Sequence, residues 1–265
     1  MLFRRIVLCA LLVGALCGLL ASVVQQWQVI PIIEAAEALE SRALPSAPPE
    51  LAAPAHGDGH AQADEPFMPQ DGLERQLWTL IANALTATGF ALLLMPLIAA
   101  AERLQRAPAA SARNGLGWGV AGWLCVFVAP ALGLPPEIPG AAAAALHERQ
   151  AWWLLAVVCA ASGIAVLRFV PTHWRWLGLG LLALPYAVGA PELGVGPFSG
   201  YDEAVVGEME ALAHRFAWAT AIANAIGWLA LGSLSGVVVA RWVRPALDAA
   251  LTGMATPAVV RARAS

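Results

Sequence analysis

Six apolar stretches dominate the chain, at residues 6–30, 77–101, 115–134, 151–169, 176–190 and 216–240. Apart from Arg168, one residue from the end of the fourth, none contains an Asp, Glu, Lys, Arg or His. About 20 such residues are needed to cross a hydrocarbon core, where only a helix or a closed barrel satisfies its own backbone. Charged residues make up 12% of the chain, half the roughly 25% usual in soluble domains. These features define an all-α integral membrane protein with about six transmembrane helices, forming a single membrane domain over 1–265. The fifth stretch is short and holds Pro185, so five spans are the alternative. A net charge of −3 argues against nucleic acid as a partner.

The start, MLFRRIVLCALLVGALCGLLAS, has the layout of a signal peptide. Its apolar run is too long for a typical signal core, so an uncleaved first span is expected; cleavage after Ala21 or Ser22 is the alternative. Cys9, Cys17, Cys125 and Cys159 all lie in apolar runs, where they serve packing rather than disulfides.

The charges sort by side once both termini are placed in the cytoplasm. Eleven of the fifteen arginines then fall inside, in accord with the positive-inside rule. All acids except Glu102 and Asp248 fall outside, with His56, His60, His147 and His214. The loop 34–74 is external, acidic, rich in Pro and Ala, and expected to be partly disordered.

A repeat is also legible. Three inward-running stretches begin ERQLW (74–78), ERQAW (148–152) and HRFAW (214–218), each with Arg three residues before Trp. That spacing puts both on one helix face, Trp at headgroup depth and Arg free to snorkel or meet an acid. The outward-running stretches end in Pro followed by Glu: Pro31 and Glu34, Pro136 and Glu137, Pro191 and Glu192. Three parallel helical hairpins are expected. TLIANAL (79–85) and TAIANAI (220–226) would then be the same helix written twice. Gly14 and Gly18, Gly115 and Gly119, and Gly232 and Gly236 are four apart, a spacing that lets helix backbones approach.

No P-loop, nucleophile elbow, H-E-x-x-H or C-x-x-C motif occurs, and the chain is not expected to be an enzyme or to hold a permanent cofactor. The loop sequence HGDGH offers His56, Asp58 and His60, donors that suit Co, Ni, Cu or Zn, or simply a solvated linker. Glu34, Glu37 and Glu40 share one stripe if the first helix continues. Inside the spans the polar groups are neutral: Asn83 and Asn224 are either hydrogen-bonded glue or carbonyl donors facing each other across a path.

The segments MLFRRIVLCALLVGALCGLLASVVQQWQVIPIIEAAE, DGLERQLWTLIANALTATGFALLL, APALGLPPEIPG, RQAWWL and VGAPE resemble CbtA, a family of proposed cobalt transporter subunits, over nearly the whole chain. The resemblance implies uptake of cobalt for cobalamin synthesis, across the bacterial inner membrane, together with a small single-span, histidine-containing partner of the CbtB type. It also makes His56 and His60 the counterpart of the family's external His-rich loop. On this reading Glu34, Glu74, Glu137, His147, Glu148 and His214 form an external mouth that concentrates Co²⁺, or Ni²⁺ or Zn²⁺, as substrate. Asn83 and Asn224 carry the ion onward. The alternative is a non-transporting membrane scaffold for the small partner.

Overall fold

The computed structural model describes residues 2–43 and 72–252; residues 44–71, with His56, Asp58 and His60, lie outside the described residues. The described chain is helical. Helix α1 (Leu2–Gln28) turns at Val29 into α2 (Ile30–Ala43). Then come α3 (Leu73–Arg103) and α4 (Ala112–Trp123), the latter continued by a π turn (Leu124–Val128) and Ala129–Ala131. Helices α5 (Leu146–Phe169), α6 (Arg175–Val188) and α7 (Glu203–Val238) follow, and a second π turn (Val239–Val243) extends α7. Each π turn lies just before a proline, Pro130 or Pro245. A proline ring clashes with the carbonyl four residues back and supplies no N–H, and a widened turn relieves both.

Five helical runs are long and apolar enough to cross a membrane: Phe3–Gln28, Leu73–Arg103, Ala112–Ala131, Leu146–Phe169 and Glu203–Thr252. The stretch expected at 176–190 is the 14-residue α6. At 1.5 Å per residue it is about 21 Å long, short of a hydrocarbon core of about 30 Å. It still carries the chain from one end of the bundle to the other. Phe169, where α5 ends, receives a hydrogen bond from Arg106 at the arginine-rich end. Phe198 and Tyr201 pack at the acidic end with Val29, Ile32 and Met209.

The first expected hairpin is present, but the second and third are re-paired. Helix α1 packs on α3, α4 on α7, and α5 on α6. Glycine dictates this. A Cβ on Gly14 would stand 2.7 Å from the Thr88 backbone, and one on Gly232 would stand 2.7 Å from Gly119 Cα. Gly163 and Gly178 meet the same way, each would-be Cβ 2.9 Å from the other's carbonyl oxygen. The expected third hairpin is thus divided: its first helix lies on α5, and its second is held against α4 by the glycines at 115, 119, 232 and 236.

Two cores result. One, toward the arginine-rich end, gathers Ala10, Val13, Cys17, Leu94, Met95, Ile98, Leu231, Val239 and Val243 from α1, α3, α7 and the π turn that extends α7. The other caps the acidic end, where α2 and the first turns of α7 enclose Ala36, Leu39, Ile138 and Met209. All four cysteines are free, and Cys17, Cys125 and Cys159 are buried.

The glycine contacts predict opposite outcomes for two substitutions. Gly232→Leu overpacks the α4–α7 seam and should destabilise by at least about 1–3 kcal/mol. Gly89→Ala, where a Cβ meets open space, should be neutral or stabilising by up to about 1 kcal/mol. Denaturant unfolding in mixed micelles measures both.

Candidate functional site

Two cavities lie one below the other from the acidic end. The upper, about 470 Å³, is lined by Gln25, Glu34 and Glu37 from α1 and α2, and by Arg75, Gln76 and Thr79 from α3. Glu37 Oε1 lies 2.9 Å from Arg75 Nη2, so the arginine of the first ERQ motif meets an acid on α2. The lower cavity, about 110 Å³, lies between α1, α3 and α7. Gln25, Asn83, Thr86 and Asn224 line it, together with Phe90 and Trp228 on its deep side. Gln25 borders both spaces. Thr79 and Asn83 are one helical turn apart on α3, about 6 Å, which sets the step between them.

Both asparagines of the repeated IAN sequence therefore line one cavity. Their amides are held differently. Asn83 Nδ2 donates to Ser22 Oγ (3.0 Å) and to Gln25 Oε1 (2.8 Å), tying α3 to α1. Asn224 Nδ2 donates to the Thr220 carbonyl of its own helix at 2.9 Å. A backbone carbonyl can only accept, so this bond fixes the Asn224 amide with its Oδ1 as the remaining acceptor. Phe90 and Trp228 stand with ring centroids 4.6 Å apart. Beyond them the bundle is filled mainly by apolar side chains, Met95 and Val239 being wholly buried, with the Ser235 hydroxyl buried among them.

The residues expected at the mouth occupy several places on the acidic end. Glu34 lines the upper cavity, and Glu74 lies in the first turn of α3 nearby. Glu137 Oε2 is 2.6 Å from Arg149 Nη2, a second ERQ arginine meeting an acid. His147 Nε2 and Glu148 Oε1 are 3.9 Å apart, and His147 is 84% exposed. His214 Nε2 accepts a hydrogen bond from Trp218 Nε1 at 3.2 Å, which occupies one imidazole lone pair. Among the described residues no three His, Cys, Asp or Glu side chains come together in a group able to hold a metal ion. His56 and His60 lie outside the described residues. Sequence reasoning misses Gln25 and Ser22. A signal is present in the polar pair Gln25–Gln26 near the end of an otherwise apolar stretch.

The arginine-rich end is closed by charge. Arg244 Nε lies 2.8 Å from Glu102 Oε1, and Arg244 Nη2 also donates to the Ala110 carbonyl at 3.2 Å. Arg103 pairs with Asp248. These contacts join α3, the turn before α4 and the end of α7.

Long apolar helices around a polar-lined interior define a multi-pass α-helical membrane protein. Residues 3–240 match the family model described as probable cobalt transporter subunit (CbtA), and the chain belongs to that family. That membership sets the chain in membrane metal transport, with cobalt the family's probable substrate. No curated protein matches the chain. No solved structure matches it either.

The two amides should separate on substitution. Asn83→Leu removes two bonds between helices and should destabilise by about 0.6–2 kcal/mol. Asn224→Leu removes one bond within its own helix and should cost less than half of that. Paired unfolding curves in the same micelles measure the difference.

Proposed function

We propose that this chain is the permease component of an uptake system for Co²⁺, or for a similar divalent ion such as Ni²⁺ or Zn²⁺, in the bacterial cytoplasmic membrane. It would supply cobalt for cobalamin synthesis and work with a small single-span, histidine-containing partner of the CbtB type. Both termini would be cytoplasmic, and α6 would serve as a short sixth crossing. Membership of the cobalt transporter family supports the substrate.

The observation that carries the path is that Asn83 and Asn224 line one cavity joined by Gln25 to a second cavity bearing Glu34 and Glu37. Carboxylates at the entrance raise the local cation concentration. Glu74, Glu137 and Glu148 would extend that field, and His147 and His214, with His56 and His60 of the loop, would offer imidazole ligands. Amide oxygens below then meet an ion that keeps part of its water. A bare divalent ion among neutral groups is too costly, and a volume of about 110 Å³ holds several waters at about 30 Å³ each. An inside-negative potential favours entry by about 4–5 kcal/mol per 100 mV for two charges. No ATP-hydrolysing site is then needed in this chain.

A second reading has its own observation: Asn83 spends both amide hydrogens on α1. On that reading the asparagines are helix glue, and the chain is a scaffold for the small partner.

Cobalt accumulation separates them. Cells lacking other cobalt uptake express the chain with and without the small partner, beside the Asn83→Leu/Asn224→Leu variant. Elemental analysis should show uptake that depends on the chain and falls to near background in the variant, with equal amounts of protein in the membrane. Unchanged uptake in the variant would remove the amides from the path. No uptake of cobalt, nickel or zinc in any setting would favour the scaffold.

A further inference from the structure

We propose a binding site for an anionic phospholipid between α4 and α5 at the arginine-rich end. It is independent of the ion path and of the metal carried. A cavity of about 400 Å³ lies there, because α4 is drawn to α7 and α5 is paired with α6. Its walls are apolar: Trp118, Ala121 and Ile164 line it, and Gly117 leaves it open. A Cβ on Gly117 would meet nothing within 4 Å, unlike those on its neighbours Gly115 and Gly119, which face α7. The slot runs from Arg113 to Ala121 along α4, eight residues or about 12 Å into the apolar span.

Arg113 and Arg168 border the open end, one from each helix. Both are exposed, and among the described residues neither is ion-paired with a carboxylate. Arg106 stands beside them, one guanidinium nitrogen bound to the Phe169 carbonyl at 3.0 Å. No acid lines the cavity to receive an ammonium headgroup. An apolar slot below paired arginines takes one acyl chain with a phosphate at its head. Basic pockets between membrane helices select anionic lipids in this way. A free phosphate would leave the slot unused, and a zwitterionic lipid would leave its ammonium without a partner.

The test is lipid binding to the purified full-length chain in neutral detergent, read by native mass spectrometry. Phosphatidylglycerol, phosphatidylcholine and inorganic phosphate are the three probes. Phosphatidylglycerol should bind about thirtyfold more tightly than phosphatidylcholine, as two arginines at about 1 kcal/mol each imply. The Arg113→Gln/Arg168→Gln variant should bring the two lipids to within about threefold of each other. Gly117→Leu fills the slot without touching the α4–α7 seam and should weaken both lipids. Unfolding in mixed micelles checks that each variant is folded. Equal affinity for the two lipids in the unaltered chain would overturn the proposal, and needs no variant. So would phosphatidylglycerol binding unchanged in both folded variants. Displacement of the lipid by millimolar inorganic phosphate would assign the arginines to a soluble anion instead and reject the lipid.

Discussion

The contact between the backbones of α4 and α7 organises the bundle. Gly115 and Gly119 face Gly232 and Gly236, and no side chain fits between them. In a bilayer, lipid tails are as apolar as leucine, so helices associate through close packing and hydrogen bonds rather than by escaping water. A seam of four glycines provides the packing. It also decides what is left over. With α4 committed to α7, helix α5 turns to α6 and the α4–α5 cleft opens. With one face of α7 on α4, its opposite side meets α1, which is itself bound to α3 through Gly14 and Gly18. The cavity holding both asparagines lies where α1, α3 and α7 converge.

Charge and polarity follow from that frame by cost. Ionised groups in the apolar layer are expensive, and here they occupy the ends, several of them paired. Arg75 with Glu37 and Arg149 with Glu137 hold the acidic end; Arg244 with Glu102 and Arg103 with Asp248 hold the other. Only neutral amides and hydroxyls reach the interior. Asn83 and Asn224 direct their amide nitrogens at neighbouring oxygens. What they leave for the cavity is mainly acceptor oxygen, a character that suits a cation over an anion.

The sequence reveals element existence well and element pairing poorly. Five of the six apolar stretches are long helices because length and missing charge leave a chain in lipid no other option. The meeting of Asn83 and Asn224 is legible because the IAN sequence recurs at matching depth. The hairpin order holds for α1 and α3 but not for the later helices. Arg-x-x-Trp and Pro followed by Glu report where a helix meets the interface, and say nothing of which helix lies beside it. The glycine pairs hold the missing information, but a spacing of four marks a face without naming its partner. Gln25 is hard to see for a simpler reason: it stands inside a stretch defined by its lack of charge.

The two ends of the α1–α3–α7 interior differ in kind. From Glu34 to Asn224 the lining offers oxygen at each step, through Thr79, Gln25 and Asn83. Beyond Phe90 and Trp228 the lining is apolar apart from the buried Ser235 hydroxyl: Leu94, Met95, Ile98, Leu231 and Val239 fill the bundle. A divalent ion cannot enter such packing, even with part of its water, without losing several kcal/mol. Passage along this axis thus requires the helices to separate at Met95 and Val239. On the proposed reading, the arrangement described is the one that would accept an ion from the acidic side. On that reading, a second arrangement that releases it would break contacts among α1, α3 and α7, and the glycine seam between α4 and α7 is the contact least able to yield. That seam, close-packed backbone on backbone, has no smaller residue to adopt and no slack to give.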